Sequence, residues 1–326
     1  PNKERGMASD LTIEQITTSF DTSYAWNYGT VKEGLRELYE KGKRDQWDGR
    51  ILPWDTNVDL EEGIFPETIN PFAGQPFYEK MTEKEQKEFG IQDITWTLSQ
   101  FLHGEQGALL VAGQLVDAVP WMDAKLYAAS QVMDEARHVE VYDRYLREKL
   151  QKEWPVNVNL KKMLDVVLKD SRWDFKYLGM QIILEGLAMA AFGQIRDLTT
   201  CPLLKELTTN VMRDEARHVA FGVVSLKDYY DDMSKAELRD REEFIVESCE
   251  TMRDRLIAEE VYAYMGLPVK EVREVFLNSP IMIEFRKLLF SRVVPNIKRL
   301  GLLTPYVREG FDKLGILAYE DMPADA

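Results

Sequence analysis

The chain has 326 residues, 45% hydrophobic and 30% charged, with a formal net charge of −15 at pH 7. Such acidity argues against nucleic acid and anionic membrane surfaces as partners, because both require basic patches. No apolar run reads as a bilayer span or secretory segment, and Cys201 and Cys249 lack metal-type spacing, so a cytoplasmic protein with no membrane attachment is expected.

Met7 stands where an initiator would, and Pro1–Gly6 ahead of it are set aside from fold reasoning. Periodicity predicts a short helix over Ala25–Lys43. Pro53, Pro66, Pro71 and Pro76 then interrupt the chain, and Trp47–Pro76 carries turn formers with little periodicity. Residues 1–92 therefore read as an arm with short helices packed on a core. Long helices are predicted at Asp93–Ala118, Trp121–Lys152, Asp174–Leu198 and Pro202–Asp231, with Pro120 and Pro202 at or near helix starts. Linker-like composition over Trp154–Asp170 separates two halves. Further helices are expected at Lys235–Met265, Val269–Asn278, Pro280–Leu300 and Pro305–Lys313, before a loose acidic tail, Tyr319–Ala326. Strand patterns are nearly absent, so the class is all-α, with a bundle over residues 93–231 and additional helices of the same domain over 232–326.

The tetrad Glu135-Ala136-Arg137-His138 recurs 80 residues later as Glu215-Ala216-Arg217-His218, each copy preceded by an aspartate, Asp134 or Asp214. On a helix, residues three apart share a face, so each Glu and His can address one centre. The two copies use two of the chain's 3 histidines. Thirty residues before each repeat glutamate stands another, Glu105 or Glu185, each the sole acid in an apolar helical stretch. Equal spacing is what two equivalent helix hairpins produce, and two packed hairpins make a four-helix bundle. A lone Glu-x-x-His is most often a solvated face; here the duplication and the matched upstream glutamates favour a metal site. A buried glutamate without a partner is costly, and a divalent cation supplies one. Four carboxylates and two neutral imidazoles suit iron or manganese better than zinc or copper. Metal-bound histidine usually donates its other ring N–H to a carboxylate. Asp134 and Asp214 are expected to accept from the histidine of the opposite half, with Arg137 and Arg217 neutralising them.

At these residues the chain resembles the ferritin-like di-iron carboxylate superfamily, whose Asp/Glu-Glu-x-x-His pattern both copies match. That group includes multicomponent monooxygenases, acyl-carrier-protein desaturases, arylamine N-oxygenases and the small subunit of ribonucleotide reductase. The resemblance covers about Asp93–Asp231. It implies a ferritin-like four-helix bundle with additional N- and C-terminal helices, and Glu105, Glu135, His138, Glu185, Glu215 and His218 as ligands of two iron ions, with a Mn/Fe pair left open. It further implies a non-haem di-iron oxygenase or oxidase that activates dioxygen to oxidise a small organic or acyl-type substrate. Electrons would come from an external ferredoxin or flavin reductase, since the chain has no nucleotide-binding motif, and a homodimer is the expected assembly.

The chain departs from arylamine N-oxygenases at Val211, where they carry a third histidine four residues before the last ligand glutamate. It departs from many monooxygenases and desaturases at Ala188 and Met189, where they place a threonine. Tyr142, one turn beyond His138, matches the radical tyrosine of the reductase subunit, although the second copy has Gly222 there. A radical or redox subunit is therefore the alternative function. Iron storage or peroxide scavenging is a lesser one, which the length of the chain opposes. His103 should face away from the site. Small residues near the ligands (Gly104, Gly107, Ala108, Gly186, Ala188, Ala190 and Ala191) read first as close helix packing. They read second as a substrate channel lined by Leu184, Met189, Phe192 and Phe221, with Trp121, Trp173 and Tyr177 as aromatic walls.

Overall fold

The computed structural model describes residues 13–60, 63–65 and 70–324. Met7, Pro66 and the last two residues of the tail lie outside them. The described residues contain helices and no strand.

Helix α1 spans Glu33–Arg44, and the backbone N–H groups of Val31 and Lys32 ahead of it donate to Asp123 Oδ2 at 2.8 and 3.0 Å. Those contacts hold the preceding residues extended, so the helix starts later than the expected Ala25. Helix α2, Glu83–Ala118, starts ten residues before the expected Asp93. A capping box explains the early start: the Thr82 hydroxyl accepts from the Glu85 N–H at 3.3 Å, and the Glu85 carboxylate accepts from the Thr82 N–H at 2.8 Å. Helix α3 is Met122–Tyr145, continued by a π-helical turn over Leu146–Leu150.

The segment expected as a linker holds helix α4, Val158–Lys169, whose Asn157 side chain accepts from the N–H groups of Asn159 and Leu160. Its apolar stripe of Leu160, Met163, Leu164, Val167 and Leu168 is buried. Leu164 packs where a Cβ on Gly107 of α2 would stand 2.3 Å from its Cδ2, so this glycine admits a close helix crossing.

Helix α5, Trp173–Leu198, is π-helical over Leu178–Leu184 and returns to α geometry at Glu185. By length and composition it is apolar enough to cross a membrane, contrary to the sequence reading. In the fold, 72% of its most apolar stretch is buried, as befits a central bundle helix. Helix α6 spans Pro202–Leu226 and helix α7 Lys235–Asp254. The expected Lys235–Met265 helix breaks after α7 and resumes at Glu259–Tyr264, and Pro280–Leu300 divides into Pro280–Leu289 and Val293–Arg299.

The dominant pairings are α2 with α3 and α5 with α6, the two expected hairpins. Their union is a four-helix bundle with α1 laid across α3 and α6. The C-terminal helices close one side of it, with Leu289, Val293 and Ile297 in the same core as Ile182 and Leu187.

Candidate metal centre

Each bundle helix turns its expected ligand residues inward, as the period of 3.6 allows for one face. Glu105 comes from α2, Glu135 and His138 from α3, Glu185 from α5, and Glu215 and His218 from α6. All six are at most 6% exposed. Donor atoms of Glu105, Glu135, His138 and Glu215 lie within 4.8 Å of one another, and those of Glu135, Glu185 and His218 form a second such group. Glu135 belongs to both. Glu215 also reaches both imidazoles, 3.2 Å from His138 Nδ1 and 3.5 Å from His218 Nδ1.

Both imidazoles are oriented alike. His138 Nδ1 stands 3.3 Å from Glu105 and Glu135, and His218 Nδ1 stands 3.1 Å from Glu135. Each Nε2 turns to an aspartate of the other repeat: His138 to Asp214 at 3.1 Å, and His218 to Asp134 at 3.2 Å. An Nε2–H donated to a carboxylate leaves Nδ1 as the free lone pair, the form a metal binds. Arg137 donates to Asp134 at 2.6 Å and Asp214 at 2.8 Å; Arg217 donates to the same two at 3.1 and 2.6 Å. The four charges form a compensated plate under the histidines, and both arginines are buried.

Three residues of this site escape motif reading. Gln46 and Trp47, just past α1, seal the plate: Gln46 Nε2 donates to Asp134 at 2.9 Å and Trp47 Nε1 to Asp214 at 2.7 Å. Gln131, fully buried one turn before Glu135, donates from a single Nε2 to Glu135 at 2.9 Å and Glu185 at 2.8 Å. Its spacing to Glu135 was a usable signal, since the equivalent position in the second repeat is Val211. For Gln46 and Trp47 the chain offers none.

The donor set fits two divalent cations on its own chemistry. Glu135 Oε2, Glu185 Oε2, both Glu215 oxygens and His218 Nδ1 are buried with no hydrogen-bond partner. Several unsatisfied carboxylate oxygens facing one point would be prohibitively costly without cations or protons. Burial, followed by the charge of Glu215, pushes the Glu105 and Glu185 carboxyls well up. Burial also drives both imidazoles down, but it is outweighed. Hydrogen bonds to Asp214 and Glu105 raise His138, and the charges of Glu135 and Glu215 raise His218. The metal-free site thus collects protons in place of positive charge, and metal binding must release them.

The remaining expected residues are placed as follows. Tyr142 is fully buried, with its ring centroid 5.9 Å from that of Phe101 and 6.1 Å from that of Phe192. Burial, then the charges of Glu105 and Glu215, raise its phenol, which stays neutral. His103 faces away and bonds the Trp154 carbonyl at 2.8 Å. Val211 is buried among Phe101, Tyr142 and Phe192.

A cavity of about 1290 Å³ is lined by Phe101 of α2 and by Leu187 and Ala191 of α5, among others, and by none of the six ligand residues. Leu184, Met189, Phe192 and Phe221 are packed core, and Trp121, Trp173 and Tyr177 form an aromatic cluster with Tyr229 and Phe221. Of the small residues, only Ala191 lines the cavity.

A family model described as p-aminobenzoate N-oxygenase AurF matches residues 30–301. No curated protein gives a significant match. Among solved structures, the chain is similar to a variant of an R2-like ligand-binding oxidase with an anaerobically reconstituted Mn/Fe cofactor. The identity is 17% and the TM-score 0.48, over 78% of this chain and 92% of that one. A variant with an aerobically reconstituted Fe/Fe cofactor aligns at 16% identity and TM-score 0.48, over 86% of this chain and 92% of that one.

Proposed function

Because the chain belongs to the p-aminobenzoate N-oxygenase AurF family, we propose that it oxidises the nitrogen of an aromatic amine with dioxygen at a pair of iron ions. It is a dioxygen-dependent oxidoreductase with a buried carboxylate–histidine site for two metals. The observation that carries the reading is the set of orphaned oxygens on Glu135, Glu185 and Glu215 gathered around two Nδ1 atoms in the buried bundle core.

Glu105, Glu135, His138, Glu185, Glu215 and His218 would hold the metals. When bound, the metals supply the reduction of dioxygen that no side chain here can perform. Asp134 and Asp214 fix the tautomer of each histidine, and Arg137 and Arg217 keep those aspartates ionised. Gln131 holds Glu135 and Glu185 at a set separation. The buried apolar side chains of Phe101, Leu187 and Phe192, on the helices that carry Glu105 and Glu185, keep solvent out of the bundle core and limit reaction with it. The family assignment stands although Val211 replaces the third histidine expected of arylamine N-oxygenases, so a six-residue donor set serves here. An external ferredoxin or flavin reductase, a homodimer and a cytoplasmic location complete the proposal, with Mn/Fe as the alternative metal pair.

Iron(II)-loaded protein supplied with a reductant, isotopically labelled dioxygen and an arylamine should yield an N-oxygenated product carrying the label. The alternative, a radical subunit, draws on Tyr142, a buried neutral phenol beside the carboxylates. It requires a stable tyrosyl signal by electron paramagnetic resonance that Tyr142→Phe abolishes, with no amine oxidised.

A further inference from the structure

Two tyrosines stand beside the metal site, and their surroundings differ. Tyr142 meets only Phe101 and Phe192 among the ring contacts of the described residues. Tyr127 of α3 lies two turns before Glu135 on the same face, near enough to His218 that the charge of each acts on the other. From Tyr127 an unbroken stack of rings runs outward. Centroids are 4.5 Å apart from Tyr127 to Phe221, 4.9 Å from Phe221 to Tyr177 and 5.9 Å from Tyr177 to Trp173. Tyr229 at 4.4 Å and Trp121 at 5.4 Å complete a cage around Trp173, where α3 and α5 begin and α6 has ended. Tyr127, Phe221 and Tyr177 are fully buried, while Trp173 is half-buried.

The chemistry of these side chains decides where an electron comes from. A phenol gives one up readily only as its proton leaves, and the buried hydroxyls of Tyr127 and Tyr177 have no base hydrogen-bonded to take it. A phenylalanine ring is harder still to oxidise. An indole can lose an electron before its proton, so Trp173 is the first ring of the stack suited to do so. Positive charge over a ring opposes that loss. Four of the chain's 7 tryptophans, Trp47, Trp54, Trp121 and Trp154, have a guanidinium or ammonium between 3.8 and 4.8 Å from the ring centroid. Trp173 has no cation over it among the described residues and is bordered by the rings of Tyr177, Tyr229 and Trp121.

We propose that Trp173 is the outlet for oxidising equivalents left at the metal pair when no amine is bound, with the electron crossing by way of Tyr177, Phe221 and Tyr127. One electron leaves the Trp173 indole and reduces the site. The indole N–H bond then breaks, and its proton passes to water, which the partial exposure of the ring admits. The external reductant returns the electron and water returns the proton, which restores the indole. An oxidant without a substrate is thereby discharged at a residue that can be repaired, and the six ligands are spared. The outlet rests on the oxygenase reading, which supplies the oxidant.

Electron paramagnetic resonance tests this on iron(II)-loaded protein given dioxygen without amine or excess reductant and freeze-quenched. The parent should show a transient tryptophan or tyrosine radical, and Trp173→Phe should lose it while taking up the same iron. Peptide mass spectrometry of the parent after repeated cycles of reduction and dioxygen should find oxygen added at Trp173 or Tyr229, a readout that serves if the variant misfolds. With an arylamine present, Trp173→Phe should form its first product as the parent does, yet it should lose activity after several-fold fewer cycles run without amine. A radical that survives Trp173→Phe, a radical abolished by Tyr142→Phe, or oxygen added chiefly at Trp47 or Trp54 would overturn the outlet. Iron content and dioxygen uptake, measured on the same samples, separate the two readings. Dioxygen uptake by a chain holding two metals, with neither a Trp173-dependent radical nor oxygen at Trp173 or Tyr229, sinks only the outlet. A chain that takes up iron and consumes no dioxygen sinks the oxygenase reading, and the outlet with it.

Discussion

Nε2 of His138 lies 3.1 Å from Oδ2 of Asp214, an aspartate of the other repeat, and His218 mirrors it on Asp134 at 3.2 Å. Each half of the duplicated sequence therefore orients the metal ligand of its partner half. Asp214→Asn should weaken metal binding by roughly 10- to 100-fold, as loss of a carboxylate behind a ligating histidine does. Chelator competition measures this; an unchanged affinity would show that the crossed pair is only structural.

Gln131 bridges two ligand carboxylates from one amide nitrogen. Gln131→Leu should keep the fold and the metals but slow turnover, because Glu135 and Glu185 lose their common restraint. A several-fold fall in kcat with metal content unchanged is the expected result. Unchanged kcat would exclude a positioning role.

Gly222 occupies, in the second repeat, the place that Tyr142 holds in the first. A Cβ there would stand 2.8 Å from Gln181 Cβ and 3.1 Å from Ile182 Cδ1, both in the π-helical stretch of α5. Gly222→Ala should destabilise the protein by about 1–3 kcal/mol, the usual cost of overpacking. Chemical denaturation measures it, and a stabilised variant would mean that the π-helical segment yields freely.

Lys176 is fully buried, donating to Gln114 Oε1 at 2.5 Å and to the Val167 carbonyl at 3.2 Å. Burial lowers it from 10.5 to about 8, with Asp170 opposing the shift. Between those two values the unfolded chain binds more protons than the folded one, so stability should rise with pH over that window and fall again as pH drops through 8. The effect is on the order of 2 kcal/mol after allowing for partial hydration. Lys176→Met should flatten this stretch of the stability–pH curve; an unaltered slope would assign it to other groups.

The sequence carried the site further than its surroundings. Four Glu and two His share one centre because their helical phase and equal spacing are written in consecutive residues, as are the aspartates that flank them. Helix α4 was missed because its twelve residues lie between turn formers, and its stripe from Leu160 to Leu168 gains meaning only against α2 and α7. Gln46 and Trp47 were missed for a related reason: they reach Asp134 and Asp214 across 88 and 167 residues of chain. The cavity along Ala191 was not foreseen, because Ala191 and its sequence neighbour Phe192 lie on different faces of α5, and only Ala191 lines it. Only the packing of α2 and the C-terminal helices decides which face stays open.

The central claim, that both repeats converge on one two-metal centre, is tested most directly by the iron content of Glu135→Ala and His218→Ala beside the parent chain, with circular dichroism as the check on folding. About two metals per parent chain, and loss of metal from both variants at unchanged helix content, is the predicted result. Retention of two metals by either variant would contradict it.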